Sequence, residues 1–295
     1  MTEPVAAAVA LLADRRAVVL TGAGISTDSG IPDYRGPRPA GTPAVRMPMT
    51  YQDFVASAAN QQRYWARAHV GWSRMGGAEP NTGHHLLAAM APELVITQNV
   101  DGLHARAGQD PLVELHGRVS EVVCLDCRRV WPRSQVQTAM AAANPGYAHT
   151  HGDVTARPDG DVELEDTHDF VVPTCSACDG RLKPHVVFFG ENVPRDRVDR
   201  CVAAVAATQA LLVLGSSLTV MSGFRFVRQA YRAGLPIVIV NRGATRGDDL
   251  ATVKLEMGCS EFLAAQSERS RIVEGSAASF STVDSASDDS TSITA

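Results

Sequence analysis

Four of the six cysteines in this 295-residue chain stand in two Cys-x-x-Cys pairs, Cys124 with Cys127 and Cys175 with Cys178. Two such pairs can bring four thiolates to the corners of a tetrahedron, which is the closed arrangement of a structural zinc site. A redox-active dithiol is the alternative that a single pair would leave open. The second pair favours zinc, so we predict one structural Zn2+ ion held by all four thiols.

Polar or glycine residues follow each of five short apolar segments that have the pattern of buried strands. These segments are residues 17–20, 94–97, 112–115, 210–214 and 236–240. A helical pattern near 222–233 separates the last two, and strand–helix–strand order is typical of a parallel sheet. Ligands of open parallel sheets bind beyond the carboxyl ends of the strands. One site is therefore predicted from the residues that follow the segments: Gly22, Ala23, Gly24, Gln98, Asn99, His116, Gly215, Ser216, Ser217, Asn241 and Arg242.

The first of these clusters, Gly22-Ala23-Gly24, turns directly out of a predicted strand. Glycines there would let backbone N–H groups approach a pyrophosphate at the start of a helix. Ser26, a good cap residue, predicts that such a helix begins at that position. The turn resembles the Gly-x-Gly-x-x-Gly pattern, but Thr27 stands where the third glycine would fall. Taken alone, this motif is explained equally well by an ordinary strand-to-helix turn.

Charge and hydropathy limit the partners that this chain can have. Its formal net charge is −5, which lacks the basic footprint of a nucleic-acid-binding protein. The first apolar run has no basic region before it, as a secretory signal would, and no apolar run approaches the length of a membrane span. We therefore expect a cytoplasmic protein without a direct nucleic-acid or membrane partner, in which cysteines bind metal rather than form disulfides.

Longer strings make the pattern specific. Residues 22–36 read GAGISTDSGIPDYRG, residues 97–104 read TQNVDGLH, residues 113–117 read VELHG and residues 215–218 read GSSL. In this order, and with the two cysteine pairs, they resemble the sirtuins, the NAD-dependent protein lysine deacylases, over residues 14–265. The strings RYWARAHVGW at 63–72 and LKPHVVFFGENVP at 182–194 look most like the class II branch of that family.

The resemblance implies an α/β fold, in which a Rossmann-like parallel-sheet domain carries a smaller zinc-binding module and a helical insert. We expect the Rossmann-like domain in residues 1–36, 83–117 and 188–266, the helical insert in 37–82 and the zinc-binding module in 118–187. His149, His151 and His168 lie in that module and could compete as ligands, but we expect them to be solvated. Residues 267–295, which end in a Ser/Thr-rich stretch, are predicted to be a disordered tail.

NAD+ is the cofactor that the resemblance implies. In similar proteins the glycine turn cradles the pyrophosphate, a mobile loop begins near residue 33, and residues after the last strands contact the adenosine half. Tyr34 stands where most relatives have phenylalanine. The matching positions expected to contact NAD+ are Gly22, Ala23, Gly24, Ile25, Asp33, Tyr34, Arg35, Gln98, Asn99, Val100, Asp101, Gly215, Ser216, Ser217, Asn241, Arg242, Gly243 and Cys259.

His116 and Asn99 are the catalytic residues that the resemblance implies. In the family's reaction, the amide oxygen of an acyl-lysine attacks C1′ of the NAD ribose and nicotinamide leaves. A base must then take a proton from a ribose hydroxyl, so that this hydroxyl can attack the amidate carbon. Histidine suits that role because its ordinary pKa lies at about 6.5. Asn99 would orient the ribose hydroxyls or a water, and the products would be nicotinamide and O-acyl-ADP-ribose.

The acylated protein or peptide substrate is expected to lie along residues 185–190. In similar proteins an extended peptide adds as a strand between this segment and the one after GSSL. Val186, Phe188 and Phe189 would then line the substrate cleft, although plain core packing explains them equally well. The desuccinylases of the family carry a Tyr-x-x-Arg pair. Tyr64 and Arg67 have that spacing, but they stand in the class II string, so the acyl chain is left open.

Other functions remain open at this point. The same site could transfer ADP-ribose to a protein, or it could bind NAD or ADP-ribose as a sensor without turnover. A zinc-ribbon nucleic-acid binder is disfavoured by the net charge of −5. A hydride-transferring dehydrogenase would use the same sheet, but it would explain neither the two cysteine pairs nor His116.

Overall fold

A computed structural model describes residues 2–13, 15–33, 48–150, 164 and 166–269. The expectations for Tyr34 and Arg35, for His151 and for the tail beyond residue 269 lie outside these described residues. The last helix continues through residue 269, past the expected boundary of the Rossmann-like domain at 266.

Six parallel strands form the larger sheet. In sheet order they are β3 (Leu112–Glu114), β2 (Leu94–Thr97), β1 (Ala17–Thr21), β7 (Ala210–Leu214), β8 (Ile237–Val240) and β9 (Val253–Leu255). The four middle strands are buried along their whole length. Burial on both faces explains why their sequences are continuous apolar runs rather than alternating patterns.

Helices cover both faces of this sheet. Helices α1 (Glu3–Ala13) and α4 (Thr82–Met90), with a helix over residues 259–269, pack on the side of Val19 and Val95. Helices α8 (Arg195–Ala207) and α9 (Met221–Arg232) pack on the side of Val18 and Ile96. Because the chain crosses between parallel strands through these helices, the carboxyl ends of all six strands meet at one edge. No helix in the described residues is long and apolar enough to cross a membrane.

The helix predicted to begin at Ser26 is absent. Residues Ala23–Ile25 and Thr27–Ser29 form two short 3-10 turns, and the second ends at Gly30, whose φ is 80°. The side chain of Ser26 makes no cap hydrogen bond. Its hydroxyl donates to Oδ2 of Asp101 at 2.7 Å and accepts from Nδ2 of Asn99 at 3.0 Å. The hydroxyl is thus directed to two distant side chains rather than to the backbone that follows it, and the prediction of a helix at Ser26 was wrong.

A second, smaller unit contains three antiparallel strands. Their order is β5 (Val130–Pro132), β4 (Gly117–Cys124) and β6 (Leu182–Val186), and helices α6 (Arg133–Ala143) and α7 (Tyr147–Thr150) lie beside them. The helical insert contributes α2 (Tyr51–Ala56) and α3 (Ala58–Gly77). Trp65 of α3 is 1% exposed in the core of this unit, and its indole Nε1 donates to the carbonyl of Leu182 at 3.0 Å. The insert and the small unit therefore share one core.

A buried cation also joins these two parts. The guanidinium of Arg133 lies 5.4 Å from the ring centroid of Trp65 and 4.6 Å from that of Trp72. Its Nη2 donates to the carbonyl of Ala68 at 3.0 Å. Burial lowers the pKa of Arg133 to about 10, which leaves it charged at neutral pH and held by the two indole faces.

Candidate active site

A cleft of about 1010 Å³ lies at the carboxyl ends of the parallel strands and reaches the helical insert and the end of β6. Most of the residues singled out from the sequence line it. They are Gly22, Ala23, Gly24, Asp33, Gln98, Asn99, Val100, Asp101, His116, Val186, Phe188, Phe189, Gly215, Ser216, Ser217, Asn241, Arg242 and Gly243.

Two expected contact residues lie behind the cleft rather than in its wall. Ile25 is fully buried and Cys259 is 6% exposed, and both belong to the apolar core on one face of the sheet. The backbone N–H of Ile25 donates to the carbonyl of Gly22 at 3.2 Å. Any contact of these two residues with NAD+ stays a prediction.

The glycine turn packs directly on the turn after β7. The backbone N–H of Gly24 donates to the carbonyl of Gly215 at 2.8 Å. A Cβ on Gly24 would lie 2.7 Å from Cα of Gly215, and a Cβ on Gly215, whose φ is +63°, would lie 2.5 Å from the nitrogen of Ile25. Glycine is thus required at both Gly24 and Gly215, because the backbones of the two turns are in contact where a Cβ atom would otherwise lie.

Asn99, Ser26 and Asp101 form a hydrogen-bonded chain beneath this turn. The amide Nδ2 of Asn99 donates to the carbonyl of Gly22 at 3.1 Å and to Oγ of Ser26 at 3.0 Å. Ser26 in turn donates to Asp101, whose other oxygen accepts from the backbone N–H of Leu103 at 2.9 Å. Burial raises the pKa of Asp101, while these two donors favour its ionised form. These hydrogen bonds among Asn99, Ser26 and Asp101 fix the shape of the pocket wall.

His116 is held at both ring nitrogens. Nδ1 lies 2.9 Å from the carbonyl oxygen of Gln98, and Nε2 lies 2.8 Å from Oγ of Ser222. A carbonyl can only accept, so Nδ1 carries the proton and Nε2 of the neutral ring accepts from the Ser222 hydroxyl. One edge of the ring faces the cleft, and the enclosure of the rest lowers the pKa of His116 to about 4. The imidazole is therefore in its basic form at neutral pH.

The four cysteines of the two pairs form one cluster. Sγ of Cys124 lies 3.6 Å from Sγ of Cys178, and Sγ of Cys127 lies 3.8 Å from Sγ of Cys175. All four sulfur atoms lie within 4.8 Å of one another. Bonds of about 2.3 Å to a tetrahedral Zn2+ place sulfur atoms about 3.8 Å apart, whereas disulfide sulfurs are about 2.05 Å apart. The cluster fits a structural zinc ion.

The surroundings of this cluster fit a metal as well. A Cβ on Gly180 would lie 2.9 Å from Sγ of Cys124, so the chain passes closely over that sulfur. The buried indole Nε1 of Trp131 has no oxygen or nitrogen acceptor among the described residues and faces the thiol of Cys175. His149 and His168 are exposed, and neither belongs to the cluster found in the described residues.

The segment after β6 forms the cleft wall opposite the glycine turn. The backbone N–H of Val187 donates to the carbonyl of His116 at 2.8 Å, which ties this segment to the strand end that carries His116. Glu191 accepts from the N–H of Phe188 and from the buried ammonium of Lys183, both at 2.9 Å. Val186 and Phe188 are each 9% exposed, so they belong to a core cluster and also line the cleft.

Comparisons with known proteins identify the family. The model of the Sir2 family matches residues 22–222. An NAD-dependent protein deacetylase of Xanthomonas axonopodis pv. citri is 51% identical over 256 residues, which cover 85% of this chain and 86% of the relative. The chain belongs to the Sir2 family. NAD-dependent protein deacetylase 1 of Streptomyces coelicolor is 50% identical over 267 residues, which cover 88% of each chain.

Solved Sir2 structures share the fold of this Sir2 family member. A complex of Sir2 with a p53 peptide and NAD+ aligns with a TM-score of 0.71 at 34% identity, over 90% of this chain and 98% of the other. Sir2 bound to an acetylated peptide aligns with a TM-score of 0.72 at 32% identity, over 92% and 100%. The predicted α/β fold, with its Rossmann-like sheet and smaller zinc-binding module, is confirmed.

Ser222 is the contact in this Sir2 site that the sequence analysis missed. The helical pattern near 222–233 was recognised, but its first hydroxyl was not connected with His116, which is 106 positions earlier. The available signal was a polar residue at the start of a strongly amphipathic helix that follows the GSSL string.

Tyr64 and Arg67 both line the cleft of this Sir2 family member. The guanidinium of Arg67 donates to the carbonyl of Leu164 through Nε at 2.9 Å and Nη2 at 2.8 Å. The ring of Tyr64 packs against Phe54 and Phe188, with centroids 5.5 Å and 5.2 Å away. Both residues are therefore within the site, and the guanidinium of Arg67 is already hydrogen-bonded to a backbone carbonyl of the protein.

The lowered pKa of His116 predicts how kcat/KM will depend on pH. The active form of a general base is unprotonated, so kcat/KM is expected to stay level as the pH falls past the ordinary histidine pKa of about 6.5. It should decline only as the pH approaches the folded-state pKa of about 4. Steady-state rates measured from neutral to acid pH check this, and a midpoint at the ordinary value would contradict it.

Circular dichroism over the same pH range supplies the control. Burial also lowers the pKa of His84 to about 4 and that of His104 to about 3. Unfolding would let both rings bind protons at their ordinary pKa, so their contribution to stability is complete above about pH 6.5 and is lost as the pH falls. A decline in rate counts as titration of His116 only where the spectrum remains folded.

Proposed function

We propose that this protein removes acyl groups from lysine side chains of proteins in an NAD-dependent reaction that yields nicotinamide and O-acyl-ADP-ribose. The observation that carries the proposal is His116, a neutral imidazole in the wall of the cleft whose Nε2 accepts a hydrogen bond from Ser222, which also lines the cleft. Relatives at 51% and 50% identity are NAD-dependent protein deacetylases, which supports the same activity here.

Each residue of the site has a part in this proposal. NAD+ supplies a ribose carbon that carries nicotinamide as a leaving group. Gly22, Ala23 and Gly24 offer a wall without bulky side chains against which the pyrophosphate can lie. The Asn99–Ser26–Asp101 chain holds the nicotinamide end of the pocket in shape. His116 takes the proton of a ribose hydroxyl at the electron pair on Nε2, which the Ser222 hydroxyl gives up.

The substrate is proposed to bind as an extended peptide. Residues 186–191 and 217–222 form two walls of the cleft, and a strand laid between them would bring its acyl-lysine toward His116. A solved Sir2 protein bound to an acetylated peptide supports this class of substrate. The zinc ion would hold the two cysteine pairs together, and because the four thiolates close its coordination it takes no part in the chemistry.

The class and the location of the protein are also proposals. We infer that it belongs to the class II branch, on the strings at 63–72 and 182–194. We infer a cytoplasmic location, since six cysteines without a disulfide suit a reducing compartment. With a net charge of −5, it is proposed to act without direct contact to nucleic acid or membranes.

Chromatography of the cofactor tests the function. The protein is incubated with NAD+ and an acetyl-lysine peptide, and the unacetylated peptide serves as the matched control. Nicotinamide and O-acetyl-ADP-ribose are expected in equal amounts, and only with the acetylated peptide. NADH in place of nicotinamide would indicate a dehydrogenase, and intact NAD+ would indicate a sensor. ADP-ribosylated protein with an untouched acetyl group would indicate an ADP-ribosyltransferase.

A further inference from the structure

The hydroxyl of Ser222 completes the environment of the proposed base. Ser222 is the second residue of α9, and its Oγ lies 2.8 Å from Nε2 of His116. The opposite nitrogen, Nδ1, donates to the carbonyl of Gln98 at 2.9 Å. These two hydrogen bonds lie on opposite sides of the ring, so together they fix both its rotation and its tautomer.

Both bonding partners stand on rigid parts of the molecule. Helix α9 is anchored in the sheet core by Phe226 and Val227, which are fully buried. The side chain of Gln98 donates to Oγ of Ser216 at 2.7 Å. A Cβ on Gly223 would lie 2.4 Å from Oε1 of Gln98, so the first turn of α9 presses on Gln98 while its neighbouring serine reaches His116. The first turn of α9 therefore contacts both His116 and the side chain of Gln98.

A hydroxyl suits this position in both states of the base. Toward the neutral ring, Ser222 donates its hydrogen to the electron pair of Nε2. Toward a ring that has taken a proton, the same oxygen accepts from Nε2–H after rotation about the C–O bond. The amino end of α9 also places positive dipole near the ring, which favours the neutral form before reaction.

We propose that Ser222 is a positioning residue for His116: in the free enzyme it holds Nε2 unprotonated and turned toward the cleft, and it gives up that electron pair when a ribose hydroxyl arrives. This inference rests on the proposed function for the role of His116 as the base. The orientation of the ring in the free protein does not depend on that function and can be measured separately.

Two matched variants test the proposal. Ser222→Thr keeps a hydroxyl, whereas Ser222→Val has nearly the same shape as threonine without one, and both are β-branched at the same helix position. Ser222→Val is expected to lower kcat for deacylation about 10- to 100-fold, the scale that accompanies a misplaced catalytic group. KM for NAD+ should stay within about twofold of the wild-type value, because no expected cofactor contact is removed. Ser222→Thr should restore most of kcat.

The second measurement needs neither NAD+ nor a substrate. Long-range proton–nitrogen NMR spectra distinguish the two ring nitrogens of His116, whose signals are assigned by their loss in His116→Gln. The wild-type protein and Ser222→Thr are expected to show one Nδ1–H tautomer with sharp signals. Ser222→Val keeps the Gln98 bond but loses the bond at Nε2, so its ring signals should be shifted at Nε2 and broadened by motion of the ring. Ser222→Ala serves in place of the valine variant if its thermal unfolding shows that valine disturbs the helix.

Several results would overturn the proposal. Ser222→Val with wild-type kcat and an unchanged ring spectrum would show that the hydroxyl is dispensable. Equal losses in the threonine and valine variants would indicate a structural effect of the side chain's shape. Covalent labelling of Ser222 by a fluorophosphonate would make it a nucleophile instead. If the wild-type protein released no nicotinamide with acylated peptides, the proposed function would fail, and the ring spectra would still decide whether Ser222 positions His116.

Discussion

His116→Ala is expected to lower kcat/KM for NAD-dependent deacylation by at least about 100-fold, the usual contribution of a positioned acid–base group. The ring is the one group of the described cleft that offers an unprotonated imidazole nitrogen to a ligand, since its Nδ1 is committed to Gln98 and its pKa lies near 4. Alanine removes that electron pair and leaves the glycine turn and the Asn99–Ser26–Asp101 chain in place. Steady-state kinetics with an acetyl-lysine peptide measure the effect.

His85→Ala is the matched control for this variant. His85 is an exposed histidine on α4, and the larger sheet with its bound helices should be unaffected by its loss. The control should therefore retain wild-type kcat/KM, and both variants should have wild-type circular dichroism. A folded His116→Ala protein with near-wild-type kcat/KM would mean that another group takes the proton.

Cys175→Ser is expected to abolish zinc binding and to unfold the smaller unit. The wild-type protein should contain one zinc ion per chain, because the four sulfur atoms form a single closed cluster. Two strands of the small sheet, β4 and β6, end or begin beside these cysteines, so loss of the metal removes the link between them. Elemental analysis and thermal unfolding measure the result.

The matched control is Cys201→Ala, which removes a thiol outside the cluster. Cys201 is buried on α8 against the larger sheet, and burial raises its pKa to about 12, so it is an inert core thiol. This control should keep one zinc ion per chain and lose only part of the core's stability. A metal-free wild-type protein with a full fold would show that the cysteines serve another purpose.

The strands were predictable because a strand that is buried on both faces has apolar residues at consecutive positions, which a short stretch of sequence reveals. Residues 17–20, 94–96 and 210–214 are apolar without interruption, and the strands begin where these segments begin. The helix α6 was not foreseen, because its sequence has a weak apolar face that packs mainly through Val136 and Met140. Its position depends on the small sheet and on α3, which a local pattern does not reveal.

Site residues were predictable where a local sequence motif contains them. Their roles were missed where these depend on contact with a residue far away in the sequence. Gly24 and Gly215 were both singled out, but their mutual contact depends on β1 and β7 lying side by side. Ser26 was interpreted as a helix cap because local propensity favours it, and the carboxylate of Asp101 changed its role. Ser222 had only a weak local signal, its place at the start of an amphipathic helix, and the fold alone brings it to His116.

The central position of β1 has a consequence for the order in which the protein can form. This strand pairs with β2 and with β7, where Ala17 lies opposite Ala210. During synthesis, the edge of β1 that pairs with β7 therefore stays uncovered until residues 210–214 have been made. Pairing between strands so far apart in the sequence slows folding. A nascent chain that ends before β7 exposes an apolar strand edge, which is where chaperones bind and aggregation begins. Any amino-terminal fragment that ends before β7 is accordingly expected to aggregate when it is expressed alone.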